Sequence, residues 1–300
     1  MWVKACQLFK LPDDFRVFYN LGDLNVALAK SVLHQIGPFE KVRTGFVPPA
    51  PSDEWLHHTG SGATMLTMAI LKRDVPASVI KDAMRNRIAA YREKMGRTPG
   101  KRVREQLKDE VMAELLPRAF VKESRVNAYI DWERKLLVVD STSSAVGEQV
   151  VGLLRQALET FPAEPLATEE SVVTILTRWL TKGPDSGFSL GADVDLKDPL
   201  NTKATVKVRQ HELGTEEVTD IVTLHQNRVS QLALVFDNRV SFTIDEKMTI
   251  RKIKFLDIVK EEMGEIAGDD AMAEFDARFT LMVLELRRLF AALDSVFHFV

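Results

Sequence analysis

Asp193 and Asp195 stand two residues apart in a stretch that reads as a strand, so their carboxylates share one face. Paired carboxylates of this kind hold Mg²⁺ in metal-dependent nucleases. No third acidic or histidine partner is evident nearby, and paired surface carboxylates are far commoner than metal sites, which leaves a nuclease as the third of three readings. The six histidines are His34, His57, His58, His211, His225 and His298; none stands in a His-Glu-x-x-His context. A single cysteine, Cys6, argues against a structural zinc site and against a disulfide framework. His57 and His58 are adjacent and would diverge on regular structure, so they read as a loop pair. Gly60-Ser61-Gly62 lacks the trailing Gly-Lys-Ser/Thr of a phosphate-cradling loop and reads as a turn. No Gly-x-Ser-x-Gly nucleophile elbow exists. These residues predict no catalytic machinery and no metal.

Charge is more informative. The formal net charge is −3, so total charge does not announce a polyanion binder. The near-neutrality comes from opposed blocks. Between Lys81 and Lys108, ten basic residues (among them Arg97, Lys101 and Arg102) face three acidic ones, a local balance of +7. Between Asp257 and Asp276, eight acidic residues face Lys260, a balance of −7. Most charged surface helices mix signs to gain i,i+4 pairs; this one scarcely does. A strongly basic stretch holds a polyanion by neutralising phosphates and releasing counterions, whatever the total charge. Lys203, Lys207 and Arg209 form a smaller cluster and alternate along a predicted strand, which would place all three on one face, a track for phosphates that reads no bases. The same cations would also suit an acidic protein partner, with DNA binding incidental.

The elements that must carry these side chains follow from apolar periodicity. Strands are predicted around Val3–Leu11, Thr64–Lys72, Gly187–Leu196, Ala204–Gln210, Val229–Phe236, Arg239–Ile244 and Ile250–Phe255. Ala128–Asp131 and Lys135–Val139 read as a hairpin, and Phe236–Val240 as a hairpin turn. Helices are predicted over Asp23–His34, over two charged stretches after Pro76 divided at Gly96–Gly100, over Ser144–Glu159 and Val172–Leu180, and after Thr215. A final helix over about Ala271 to Val296 repeats apolar residues at alternating spacings of four and three, the pattern of a packing seam. Gly45 to Pro51 reads as a break, because prolines forbid a helix and remove strand donors, and Phe161–Pro165 reads as a domain boundary. Helices and strands mix without βαβ alternation, so the class is α+β with mixed sheets. Residues 1–75 with 118–162 form one predicted domain, 76–117 a basic helical insertion, 163–270 a strand-rich domain, and 271–300 a C-terminal helix. With 45% hydrophobic residues the chain can bury a sizeable core. No signal-peptide pattern and no span of about 20 apolar residues is visible, so a cytoplasmic location is expected.

Several strings together resemble the RdgC family over nearly the whole length. They are Gly45-Phe46-Val47-Pro48-Pro49; Leu107-Lys108-Asp109-Glu110-Val111 running into Leu115-Leu116-Pro117-Arg118-Ala119-Phe120; the Ile130-Asp131 to Val139-Asp140 hairpin; Leu176-Thr177-Arg178-Trp179; Gly187-Phe188; Val208-Arg209-Gln210 leading to Thr215-Glu216-Glu217-Val218; and Phe275-Asp276-Ala277-Arg278-Phe279. The first forty residues match poorly. The resemblance implies a crescent-shaped subunit whose homodimer closes into a ring around double-stranded DNA. It further implies binding without sequence preference, restriction of RecA recombinase access, association with the nucleoid, and no cofactor. Two positions carry over: Phe120 as an aromatic at a subunit contact, and Arg209-Gln210 as a pair facing DNA, with Arg where relatives often have Lys.

Overall fold

The computed structural model describes residues 3–15, 21–50, 55–201, 204–224, 226–264 and 270–300. The N-terminal half runs β1 (Gln7–Lys10), α1 (Leu21–Ala29), β2 (Val42–Val47), β3 (His57–Gly60), β4 (Ala63–Asp74), α2 (Ala77–Met95), α3 (Lys101–Leu115), β5 (Phe120–Asp131), β6 (Leu136–Val139) and α4 (Ser144–Leu158). There follow β7 (Glu164–Pro165), α5 (Val172–Lys182), β8 (Phe188–Lys197), β9 (Thr205–Val208), α6 (Glu216–Thr223), β10 (Arg228–Phe236), β11 (Val240–Asp245), β12 (Ile250–Phe255), α7 (Asp257–Gly264) and α8 (Ala271–Phe297). The α+β class is as expected. A seven-stranded sheet has the order β2-β4-β5-β6-β1-β7 with β3 on β4, and a five-stranded sheet the order β12-β11-β10-β8-β9. The expectation of mixed sheets is corrected: the strand pairings of described register are antiparallel, and the parallel contact among the described residues is the single bridge Val32↔Phe46. Short turns explain this, since antiparallel neighbours need two-residue links whereas parallel ones need long crossovers. Ser61-Gly62 and Asp237-Asn238 are such links, with all four residues at positive φ as a type I′ turn requires.

The chain divides into two compact units, Met1–Lys30 with Pro48–Thr67 and Asn127–Val300, and Ser31–Val47 with Met68–Val126. In the first unit, the predicted seam of α8 is buried along its own core: Phe279, Met282, Leu286, Leu289 and Leu293 are each at most 2% exposed. Trp179 of α5 is fully buried beside Phe188 and Phe297, and its Nε1–H donates to Asp185 Oδ2 at 2.7 Å. Cys6 is a buried core residue, its thiol pushed well above the usual range by burial. Arg287 of α8 ties two hairpin turns together. Its guanidinium donates to both carboxylate oxygens of Asp131 at 2.8 and 3.0 Å, and to the Ser61 carbonyl at 2.9 Å. Asp131 in turn accepts the Glu133 and Arg134 N–H groups that form its own turn.

In the second unit, α2 and α3 pack as a helical hairpin divided where the sequence placed the break. Gly96 takes the left-handed conformation that ends α2, returning its N–H to the Arg92 carbonyl at 2.8 Å. Arg73 holds the turn that follows α3, donating from Nη1 to the carbonyls of Leu116 and Ala119 at 3.3 and 3.1 Å.

Two local expectations are overturned. His57 and His58 belong to strand β3, not to a loop; His57 is buried and His58 Nε2 lies 3.0 Å from Asp276 Oδ1. The stretch read as a break from Gly45 begins inside β2. The acidic block also contains α7, a helix that the apolar periodicity did not announce. Among the described residues no helix is long and apolar enough to cross a membrane.

Gly45 explains why a strand hides in a proline-rich string. A Cβ there would meet the Leu33 backbone at 2.4 Å, because the Ser31–Leu33 segment hydrogen-bonds to both sides of Phe46. Gly45→Ala is therefore expected to lower stability by about 1–3 kcal/mol, read as a urea midpoint shift with unchanged slope; an unchanged midpoint would show that the close approach is not needed.

Candidate nucleic-acid interface

The first candidate surface is the α2–α3 hairpin. Between Lys81 and Lys108 its sequence mixes signs too little for self-neutralisation, and α2 buries no residue. Of the ten basic residues between Lys81 and Lys108, Arg85 and Arg87 hold carboxylates, Asp82 at 3.1 Å and Glu114 at 2.9 Å. Arg92 and Arg104 donate to neutral oxygens of Thr98 and Pro99, so their charge is not balanced. Arg97, Lys101 and Arg102 are exposed, and no described residue pairs with them. One side of the hairpin also carries an apolar groove of about 740 Å³, lined by Ile80, Met84 and Ile88 and rimmed by Lys81 and Lys108.

The second candidate surface is the β8–β9 edge of the five-stranded sheet. Here the structure changes the predicted geometry. Strand β9 ends at Val208, and Gln210 turns the chain with φ of 51°. Lys203 lies outside the described residues. Lys207 and Arg209 do converge, but on a carboxylate: Arg209 forms an ion pair with Asp195, and Lys207 Nζ stands 3.9 Å from the same group. Arg209 Nη1 also donates to the carbonyls of Val194 and Val208 at 3.1 and 2.9 Å, which folds the guanidinium back onto the sheet. Asp193 accepts the Gln210 N–H at 3.2 Å and Lys252 Nζ at 3.2 Å. The Gln210 N–H first, then Lys252, hold its carboxyl below the usual range. A divalent ion at Asp193 and Asp195 would have to displace these cations. Among the described residues no three His, Cys, Asp or Glu side chains group as a metal site.

Phe120 is the third feature. It opens β5 directly after the turn held by Arg73, and it is 90% exposed. That exposure removes the reading of a core phenylalanine. Leaving so large an apolar side chain in water is costly, and aromatic residues so placed are typical anchors of protein contacts.

Residues 1–299 match the family described as "Putative exonuclease, RdgC". The chain belongs to the RdgC family. The match includes the first forty residues, where the quoted strings gave no purchase. The chain is 37% identical over 298 residues to the recombination-associated protein RdgC of Xanthomonas oryzae pv. oryzae, covering 98% of this chain and 97% of the relative. It is equally similar to the protein of that name from Xanthomonas campestris pv. campestris. The Stenotrophomonas maltophilia protein of the same name is 36% identical over 300 residues, covering 99% of this chain and 98% of the relative. The relatives' names are not enzyme names, whereas the family description names an exonuclease.

Sequence reasoning on this RdgC-family chain missed Lys252 and Lys254. Both lie exposed on β12, on either side of the buried Ile253. The period-2 alternation was legible, but two lysines in a short strand do not stand out beside a block of ten. It also missed that Asp195, read as one half of a metal pair, is the counter-ion of Arg209.

The geometry separates cations that hold the fold from cations that do not. Replacing Arg97, Lys101 and Arg102 together by alanine is expected to leave the urea midpoint within about 0.5 kcal/mol of the parent. A larger loss would assign these side chains a structural role.

Proposed function

We propose that this chain binds double-stranded DNA without regard to sequence, as a homodimer that encircles the duplex, and so limits the access of RecA recombinase to DNA. The observation that carries the reading is the α2–α3 hairpin, where one sign of charge dominates and most cations face solvent without a carboxylate. Such a surface neutralises phosphates, whose spacing is the same for every sequence, and it offers no arrangement for reading base edges. The relatives' names associate them with recombination, which fits a protein that competes for DNA.

The homodimer rests on Phe120. A phenylalanine that is 90% exposed gains from burial against a second copy, on the order of 2 kcal/mol or more as an interface anchor. Enclosure also reconciles a net charge of −3 with DNA binding, because a basic face lining the opening meets phosphates whatever the total charge. The bound protein is then nucleoid-associated, and phosphate neutralisation calls for no cofactor.

One observation favours a second reading, a module that docks an acidic partner: the groove on α2 has an apolar floor between Lys81 and Lys108, as an acidic amphipathic helix would require. Circular and linear duplex should then be retained equally after a salt wash.

On the DNA reading, duplex affinity is expected to fall about 10³- to 10⁵-fold between 50 and 200 mM salt, for six to ten phosphates neutralised. Alanine at Arg97, Lys101 and Arg102 should weaken all duplex sequences alike and flatten the slope by about one for each cation that had met a phosphate. A flat salt response, or a loss confined to some sequences, contradicts the proposal.

A further inference from the structure

The open face of the five-stranded sheet carries cations that the sequence did not single out, and their arrangement is more specific than a basic patch. In β10 the side chains of Leu232, Leu234 and Phe236 enter the core, so Gln231, Ala233 and Val235 face away from it. That outward face is concave, with a volume of about 810 Å³. Its floor includes Gly191, Ala233 and Ser241, and its rim includes Gln210, Lys252 and Lys254. The floor is kept low by packing: a Cβ on Gly191 would stand 2.8 Å from the Ala233 Cβ.

We propose that this face is a phosphate-binding surface for duplex DNA, kept in reserve by two resident carboxylates, Asp193 and Asp195, that occupy its cations until phosphates replace them. The proposal rests on the DNA-binding reading above and extends it to named residues.

Three features carry it. The first is reach. Lys252 stands on β12 and crosses the face over β11 and β10 to meet Asp193 on β8 at 3.2 Å. It starts from a bulge, with φ of 52° at Lys252 and a register shift between β11 and β12. A lysine sent that far across an open face has little to pack against, and its side chain remains 60% exposed.

The second feature is the donor set. Asp193 receives a backbone N–H and a lysine, and Asp195 forms an ion pair with the Arg209 guanidinium, with Lys207 Nζ 3.9 Å away. Each carboxylate presents two oxygens and one negative charge, as a phosphodiester does with its two non-bridging oxygens. Donors arranged for the one suit the other.

The third feature is weak retention. Lys207, Arg209 and Lys252 have side chains 60%, 41% and 60% exposed, against 16% for Asp195 and 26% for Asp193, so the cations are the solvent-facing partners and can turn to an incoming phosphate. Lys254 is exposed, and no described residue pairs with it. With Glu212 on its rim the face therefore holds four cations against three carboxylates, and a polyanion adds the missing charge.

The test uses the full-length chain and a duplex of about 30 base pairs, titrated from 50 to 200 mM salt. Asp193→Asn and Asp195→Asn keep the side-chain shape and remove the charge. Each is expected to bind duplex about three- to tenfold more tightly at the lower salt, with a slope steeper by about one as a freed cation meets a phosphate. Adding Lys252→Ala to Asp193→Asn should abolish the gain. Affinity that is unchanged or weaker in both aspartate variants, with the urea midpoint preserved, would overturn the proposal and make the carboxylates positioning groups for Arg209 and Lys252. Should the aspartate variants fail to fold, Lys254→Ala decides: a slope shallower by about one supports the face, and an unchanged slope overturns it. If the parent protein itself binds no duplex at any salt, the underlying DNA reading fails, a result distinct from parental binding that the aspartates do not affect.

Discussion

A chain with a net charge of −3 can hold a polyanion only where its cations are kept from its own carboxylates. The fold treats that constraint differently on its two basic surfaces. Between Lys81 and Lys108 it meets it by composition, since Asp82, Glu93 and Glu105 are too few to balance ten cations, while Asp109, Glu110 and Glu114 lie together towards the end of α3. Mixed-sign i,i+4 pairs would stabilise both helices, and their scarcity means the hairpin forgoes that contribution. It is held at its ends instead, by the Gly96 cap and by Arg73 on the turn after α3. On the five-stranded sheet the cations are not kept apart. Arg209, Lys207 and Lys252 each meet an aspartate, so their availability depends on how easily a carboxylate yields to a phosphate.

The scaffold beneath the sheet surface is apolar where it is deep and charged only where charges are matched. The buried face of α8 meets Trp179, while Arg287 on the same helix binds Asp131, whose side chain is 2% exposed. Glu285, also buried, is paired with Arg239 at 2.8 Å, and Arg239 reaches Glu262 as well. Removing one partner of such a pair would strand a buried charge at a cost of about 3–5 kcal/mol. These pairs fix hairpin turns and the helix against the sheet, and they leave the outward face of β8, β10 and β11 free of structural duty.

Much of this was legible in the sequence, and the exceptions have physical causes. The helical hairpin, the α8 seam and the Phe236–Val240 turn followed from periodicity and turn residues, and the structure places them within a residue or two. Strand β2 was hidden because Gly45 and the prolines after Val47 are turn-formers by type, whereas Gly45 is there so that the Leu33 backbone can approach. Strand β3 was hidden because His57 and His58 are polar, although one is buried and the other meets Asp276. Helix α7 was hidden by its acidic residues, with Val259 as its fully buried apolar contact. At the site, the string ending in Phe120 was readable as a family mark, but its 90% exposure was not. Nor could spacing reveal that Arg209 and Gln210 stand beyond the end of β9, or that residues from β8 and β12 meet across the sheet. Such contacts depend on strand order, which alternation along one strand does not encode.

The most direct test of an encircling dimer separates topology from affinity. Protein is loaded on closed circular and on linear duplex of equal length, then challenged with a high-salt wash that screens phosphate contacts. Retention on the circle with loss from the linear form is the result the account requires, and Phe120→Ala should release the circle as well. Equal loss from both forms, or a monomeric mass at working concentration, would contradict it.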